Sequence, residues 1–229
     1  MTAVVDFLPL ALLGAVLGLD VVAFPQAMTS RPLVAATLGG ALAGNAGSGL
    51  VAGAALELIA LETLPFGASR YPEWGSAAVV GGALFATHAD IPAPALVTAV
   101  LAAIATGWVG GWTMIALRRL NAAWARRRRE GLERGSWRTV AGLQLFGLTA
   151  DLVRGGLLTL GALLALDPVV RASLALFETD ARLSRAFVTA VTGTVAAAAM
   201  WKILHATPHA VWYLAGGLLI GFALLRGLA

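Results

Sequence analysis

Residues Arg31–Glu73, RPLVAATLGGALAGNAGSGLVAGAALELIALETLPFGASRYPE, decide how the rest of the chain is read. Two apolar runs lie here, Leu33–Ala43 of 11 residues and Leu50–Leu61 of 12. Each is too short for the roughly 20 residues that a helix needs to cross about 30 Å of hydrocarbon. Gly44-Asn45-Ala46-Gly47-Ser48-Gly49 separates them, a glycine-rich break, and the second run carries a carboxylate, Glu57, in its middle. Interrupted half-length helices with polar groups at membrane depth are how many transporters build a solute site. Irregular backbone is not viable against lipid, so this segment must be enclosed by protein or line a cavity.

The composition agrees with a bilayer setting. Of 229 residues, 59% are hydrophobic and 12% charged, with a mean hydropathy of +0.84; soluble domains are about 25% charged. The 27 glycines and abundant alanine suit close helix packing in lipid. The fold class is therefore all-α, a polytopic integral membrane protein with short broken or re-entrant helices. Without cysteine there are no disulfides, no Cys-ligated zinc and no thiol catalysis. The start, Met1–Phe24, has no basic n-region and carries Asp6 and Asp20, so no cleavable signal is expected.

Charge is concentrated. Eight of the 16 basic residues fall in Arg118–Arg138, RRLNAAWARRRREGLERGSWR. By the positive-inside rule this is a cytoplasmic loop, and it lacks the aromatic interleaving of a nucleic-acid surface. One membrane domain, 1–229, is expected, divisible into halves 1–117 and 139–229, which could be inverted copies of one another. Ala3–Phe24 is the first apolar segment, and Pro25 and Pro32 bracket a turn in which helix cannot run on. Gly75–Thr87 is a third short run; Ala95–Leu117 is the clearest span. Thr139–Leu166 holds Asp151 and Arg154, three apart and able to pair on one helix face. Asp167–Arg185 reads as a polar connection, followed by apolar runs Ala186–Leu204 and Ala210–Leu225.

Glu57 is the first candidate for binding a polar solute: an ionised carboxylate accepts hydrogen bonds from hydroxyls, and burying one without partners is costly. Its alternative is an ion pair with Arg31, Arg154 or Lys202. Glu62, about 140° round the helix from Glu57, lies off that face. Asp20 and Gln26 flank Pro25 and together offer acceptors and an amide donor, or else form a capping cluster. Asn45 is either an amide ligand or a turn residue tolerating left-handed geometry. GNAGSG lacks the Lys-Ser/Thr ending of a phosphate loop. Ser48 has no fitting helical His for a protease, and His205 and His209 are interrupted by Pro208, so no catalytic, cofactor or metal site is expected.

These residues also form an ordered set: Arg31-Pro32-Leu33, then Ala43-Gly44-Asn45 with Gly49, then Gly53, Leu56 and Glu57, then Gly67-Ala68 with Pro72-Glu73. In that order they resemble the enzyme IIC subunit of the mannose/fructose/sorbose family of the bacterial phosphotransferase system. The resemblance is specific over about residues 17–90 and general beyond. Asn45 stands where the family often has Asp. The resemblance implies a multi-pass permease of the bacterial inner membrane, a transport subunit rather than an enzyme. It implies a hexose-type sugar substrate, a IID-type membrane partner, an oligomer, and cytosolic IIA and IIB proteins, with IIB carrying the phosphohistidine. Sugar-site candidacy falls on Glu57 and, with it, Asp20, Gln26 and Glu73. The rivals are a non-transporting scaffold or regulatory subunit and a small-solute transporter independent of phosphorylation.

Overall fold

The computed structural model describes residues 2–20, 23–60, 71–206 and 209–227. Glu62, Gly67 and Ala68, and the side chains of Lys202 and His205, lie outside the described set. Helix is the only regular secondary structure among the described residues. In order these are α1 (Thr2–Asp20), α2 (Pro32–Leu42), α3 (Ala46–Ala60), α4 (Trp74–Thr87), α5 (Pro92–Arg127), α6 (Arg129–Glu133), α7 (Trp137–Thr179), α8 (Ala181–Ala206) and α9 (Ala210–Gly227). They fall into two compact units, Met1–Asp180 and Ala181–Ala229. The helices on either side of the arginine segment, α5 and α7, thus share one unit.

The break after α2 forms as its residues dictate. Gly44, at φ +96°, takes the left-handed position that Cβ-bearing residues avoid. The N–H of Asn45 then reaches the carbonyl of Gly40 at 2.8 Å and that of Gly44 reaches Ala41 at 3.1 Å. This pair of bonds is the Schellman closure of a helix. Asn45 at once opens α3, its Oδ1 accepting from the Ser48 N–H at 3.0 Å.

Helix α4 is the hub of the first unit. Every residue from Trp74 to Phe85 is buried, as an all-round apolar helix must be. It packs against α1, α2, α3, α5 and α7. Inside lipid there is no water to drive this, so close backbone contact has to hold the helices together. A Cβ on Gly39 would lie 2.6 Å from the Val79 carbonyl, and one on Gly82 would collide with that of Ala36. The small residues are where α2 and α4 touch.

Among the described residues two helices, α5 and α7, are long and apolar enough to cross a membrane. Both extend further than the sequence patterning predicts. The arginine segment is not an irregular loop: α5 runs through it to Arg127, and α6 adds another turn with Arg129–Glu133 and Glu130–Arg134 pairs at 2.6 and 3.1 Å. Gly135 at φ +64° then reverses the chain, and the Ser136 side chain caps α7. Likewise Asp167–Arg185 is not a connection until Asp180. Helix continues through Pro168, and the buried Asp167 side chain is satisfied by His88 Nε2 at 2.9 Å and by Arg171. The buried stripe of α7, Asp151, Gly155, Thr159, Leu163, Asp167, Val170 and Leu174, follows the spacing of one helix face.

Candidate functional site

The turn between α1 and α2 is wrapped around one carboxylate. Asp20 is buried, and its two oxygens accept from the backbone N–H groups of Ala27 at 2.6 Å and Ser30 at 2.8 Å. On either side of Ala27, Gln26 and Met28 both stand at φ +60°, a region that costs residues with a Cβ on the order of 1 kcal/mol each. The Asp20 bonds hold the chain in that shape. Gln26 is exposed on the outside of the turn.

From this turn Arg31 leads directly to the next candidate. Its guanidinium pairs with Glu57 Oε1, while Glu57 Oε2 accepts from the Leu33 N–H at 3.2 Å. Arg31 occupies the N-cap position of α2 without a capping side chain of its own. The cap therefore comes from α3: a carboxylate placed at the positive end of the α2 dipole, satisfying one of its free N–H groups. Of the three pairings open to Glu57 from sequence, the one with Arg31 is formed.

Glu73 is fully buried at the start of α4. Its N–H donates to the Gly107 carbonyl at 2.9 Å and its Oε1 accepts from the Ser76 N–H at 3.0 Å, capping the helix. Its Oε2 is buried with no hydrogen-bond partner among the described residues. Ser76 Oγ donates to the Gly14 carbonyl of α1 at 3.1 Å, so this end of α4 sits against the last turns of α1. On α7 the expected pair is present: Arg154 Nε donates to Asp151 Oδ1 at 2.7 Å, and Arg154 Nη1 reaches Thr113 of α5 at 3.3 Å. Arg154 Nη2, also buried, has no partner among the described residues. A Cβ on Gly18 would meet both Ser76 Oγ, at 3.1 Å, and Arg154 Nη2, at 3.5 Å.

Asp20, Gln26 and Arg31–Glu57 thus follow one another where α1 and α3 end and α2 begins. Glu73 stands apart from Arg31–Glu57: α2 and α4 run antiparallel, Gly39 against Val79 and Ala36 against Gly82, so the two helices begin at opposite ends of their contact. Asn45 does not join the turn residues either. It lies at the far end of the α2–α3 hairpin, about 16 Å away along 11-residue α2, and its amide oxygen caps α3. Sequence patterning missed Ser76, Thr113 and Tyr71, whose hydroxyl accepts from Arg118 at 2.8 Å. Serine and threonine in an apolar run were the available signal, but so many bond their own helix carbonyls, as Thr98 and Thr106 do, that spacing alone does not single these out. The arrangement offers carboxylate and hydroxyl oxygens and a guanidinium inside a helix bundle. That chemistry binds hydroxyl groups.

No curated protein matches the chain at a significant level. The family model for the PTS system sorbose-specific IIC component, EII-Sor, matches residues 4–225, nearly the whole sequence. The chain belongs to this family, the membrane-integral IIC transport subunits of the sugar phosphotransferase system.

Proposed function

We propose that this chain is the sugar-translocating subunit of a phosphoenolpyruvate-dependent phosphotransferase system in a bacterial inner membrane. It binds a hexose-type sugar and presents it to a phosphorylated cytosolic IIB protein, working beside a IID-type membrane subunit and fed by IIA. The observation that carries the sugar site is the run of polar side chains Asp20, Gln26 and Arg31–Glu57 through the α1–α2 turn, with a second carboxylate, Glu73, buried at the start of α4. The Glu73 N–H donates to Gly107 of α5, and from there α5 runs on into its arginines. The positive-inside rule puts those arginines in the cytoplasm, so Glu73, and Asp20 at the end of α1 packed beside it, occupy the inner half of the membrane, where the phosphoryl donor can approach.

Sugar hydroxyls would compete for oxygens that now serve the protein's own N–H groups and Arg31, and would supply a donor to the unpartnered Glu73 Oε2. Hydrogen bonds worth about 0.5–1.5 kcal/mol each, and about 1.5–3 where a charge takes part, suffice for micromolar binding after ordering costs. Asn45 has the role of a hairpin cap in this scheme.

The test is thermal unfolding of the purified chain with its IID-type partner, titrated with glucose, mannose, fructose and sorbose. One of them should raise the midpoint in wild type and not in Glu73→Ala. A second reading has one observation in its favour: Asp20, Asn45 and Glu57 are all engaged within the chain, as a scaffold subunit would have them. Co-purification with no response to any sugar would support that reading.

A further inference from the structure

We infer that a cavity between α5 and α7, beside the arginine segment, is an inner binding subsite for an uncharged polyhydroxylated solute of hexose size. The inference rests on the transport reading above and adds residues outside those it names.

The cavity holds about 510 Å³, within the roughly 300–1,000 Å³ of small-molecule sites. Arg118, Asn121 and Trp124 of α5 and Gln144, Phe146 and Asp151 of α7 line it. Trp124 and Phe146 stack at 4.4 Å between centroids with 23° between planes. Such a pair is a fixed apolar wall, the kind of surface on which the C–H face of a pyranose packs. Opposite demands come from the amides. Asn121 Oδ1 is buried with no hydrogen-bond partner among the described residues. A buried acceptor left unmatched is costly, so the site asks for a donor from whatever fills it. Gln144 is exposed and adds a second amide.

The charged groups of the lining decide which class of donor fits. Asp151 is buried and held by Arg154 at 2.7 Å. Arg118 donates to Tyr71 at 2.8 Å and lies over its ring, 5.4 Å from the centroid. With cation and anion both engaged by protein, the capacity that remains is neutral amide plus aromatic face. This matches hydroxyl groups on a compact carbon frame better than a free ion or a phosphate ester. Ala23, three residues past Asp20, also borders the cavity, which joins it to the Asp20 turn. A sugar released from the Asp20 turn toward the cytoplasm would meet this wall next, where it can wait for the phosphoryl donor.

The absence of native cysteine permits a direct test. Gln144→Cys is made in the full chain, reconstituted with its IID-type partner, and its rate of reaction with a membrane-impermeant maleimide is measured with and without saturating glucose, mannose, fructose or sorbose. The sugar that the wild-type complex takes up should slow labelling by about threefold or more, while Leu42→Cys, at the far end of the α2–α3 hairpin, should label equally in both conditions. In parallel, Asn121→Leu should weaken equilibrium binding of that sugar by about tenfold, the worth of one good hydrogen bond, and Asn121→Asp, which keeps the acceptor, should stay within about threefold of wild type. Unchanged labelling at Gln144→Cys in a complex that takes up sugar overturns the subsite and leaves the transport reading standing. A wild-type complex that neither binds nor takes up any of the four sugars overturns both.

Discussion

Exchanging the two charges of the Arg31–Glu57 pair separates a structural clamp from a sugar ligand. Glu57 does two things in the fold: it pairs with Arg31 and it caps α2 through the Leu33 N–H. The Arg31 side chain is 43% exposed and that of Glu57 16%, so screening keeps the ion pair near the exposed range of about 0.2–1 kcal/mol. The lost backbone hydrogen bond adds about 0.5–1.5 kcal/mol. Glu57→Ala should then cost about 1–2 kcal/mol, seen as a lower unfolding midpoint of a protein that still inserts and purifies. The double variant Arg31→Glu, Glu57→Arg rebuilds the pair with reversed sign but leaves the Leu33 N–H without its acceptor. It should recover about 0.5–1 kcal/mol. If the carboxylate at position 57 binds sugar, Glu57→Ala abolishes uptake and the exchange does not restore it. Uptake near wild type in the exchanged protein would refute that reasoning and reduce Glu57 to a clamp.

Three further perturbations follow from the packing and the turns. Gly82→Val drives a branched side chain into the Ala36 carbonyl and should destabilise the α2–α4 contact by about 3 kcal/mol, visible as loss of monodisperse protein on size exclusion. Asn45→Ala removes the α3 cap and should cost about 1 kcal/mol in thermal unfolding, with the sugar's KM unchanged; a large rise in KM would return Asn45 to the binding site. Asp20→Leu leaves the Ala27 and Ser30 N–H groups without their acceptor and should make the turn at Phe24-Pro25 accessible to limited proteolysis, whereas cleavage at the wild-type rate would show that the carboxylate does not hold it.

What could be read from the chain alone was local. Gly44-Asn45 announced a break, two prolines announced the turn at 24–32, and Asp151 with Arg154 announced a pair on one helix face. Each depends on neighbours a few residues apart. What escaped depends on partners far along the chain. Asp167-Pro168 looks like the end of a helix, and only His88, 79 residues away, makes its burial tolerable. Arg118–Arg138 looks like a solvated loop by its charge alone; arginine and alanine nevertheless favour helix, and the Arg–Glu pairs four apart add to it. The site residues were partly legible for the same reason. Asp20 and Gln26 share a turn, and Arg31 leads on to Glu57, but nothing in the spacing says that Glu57 caps a different helix. The unmatched oxygens of Glu73 and Asn121 become visible only once their neighbours are placed.

The claim beneath the whole account is that sugar passes through this subunit and is phosphorylated as it arrives. Vesicles holding the chain and its IID-type partner, loaded with the general phosphotransferase proteins, IIA, IIB and phosphoenolpyruvate, offer the most direct measurement: the chemical form of a radiolabelled sugar recovered from the lumen. The account predicts accumulation as the phosphate ester, stopping when IIB or phosphoenolpyruvate is left out. Free sugar accumulating at the same rate without them would contradict it.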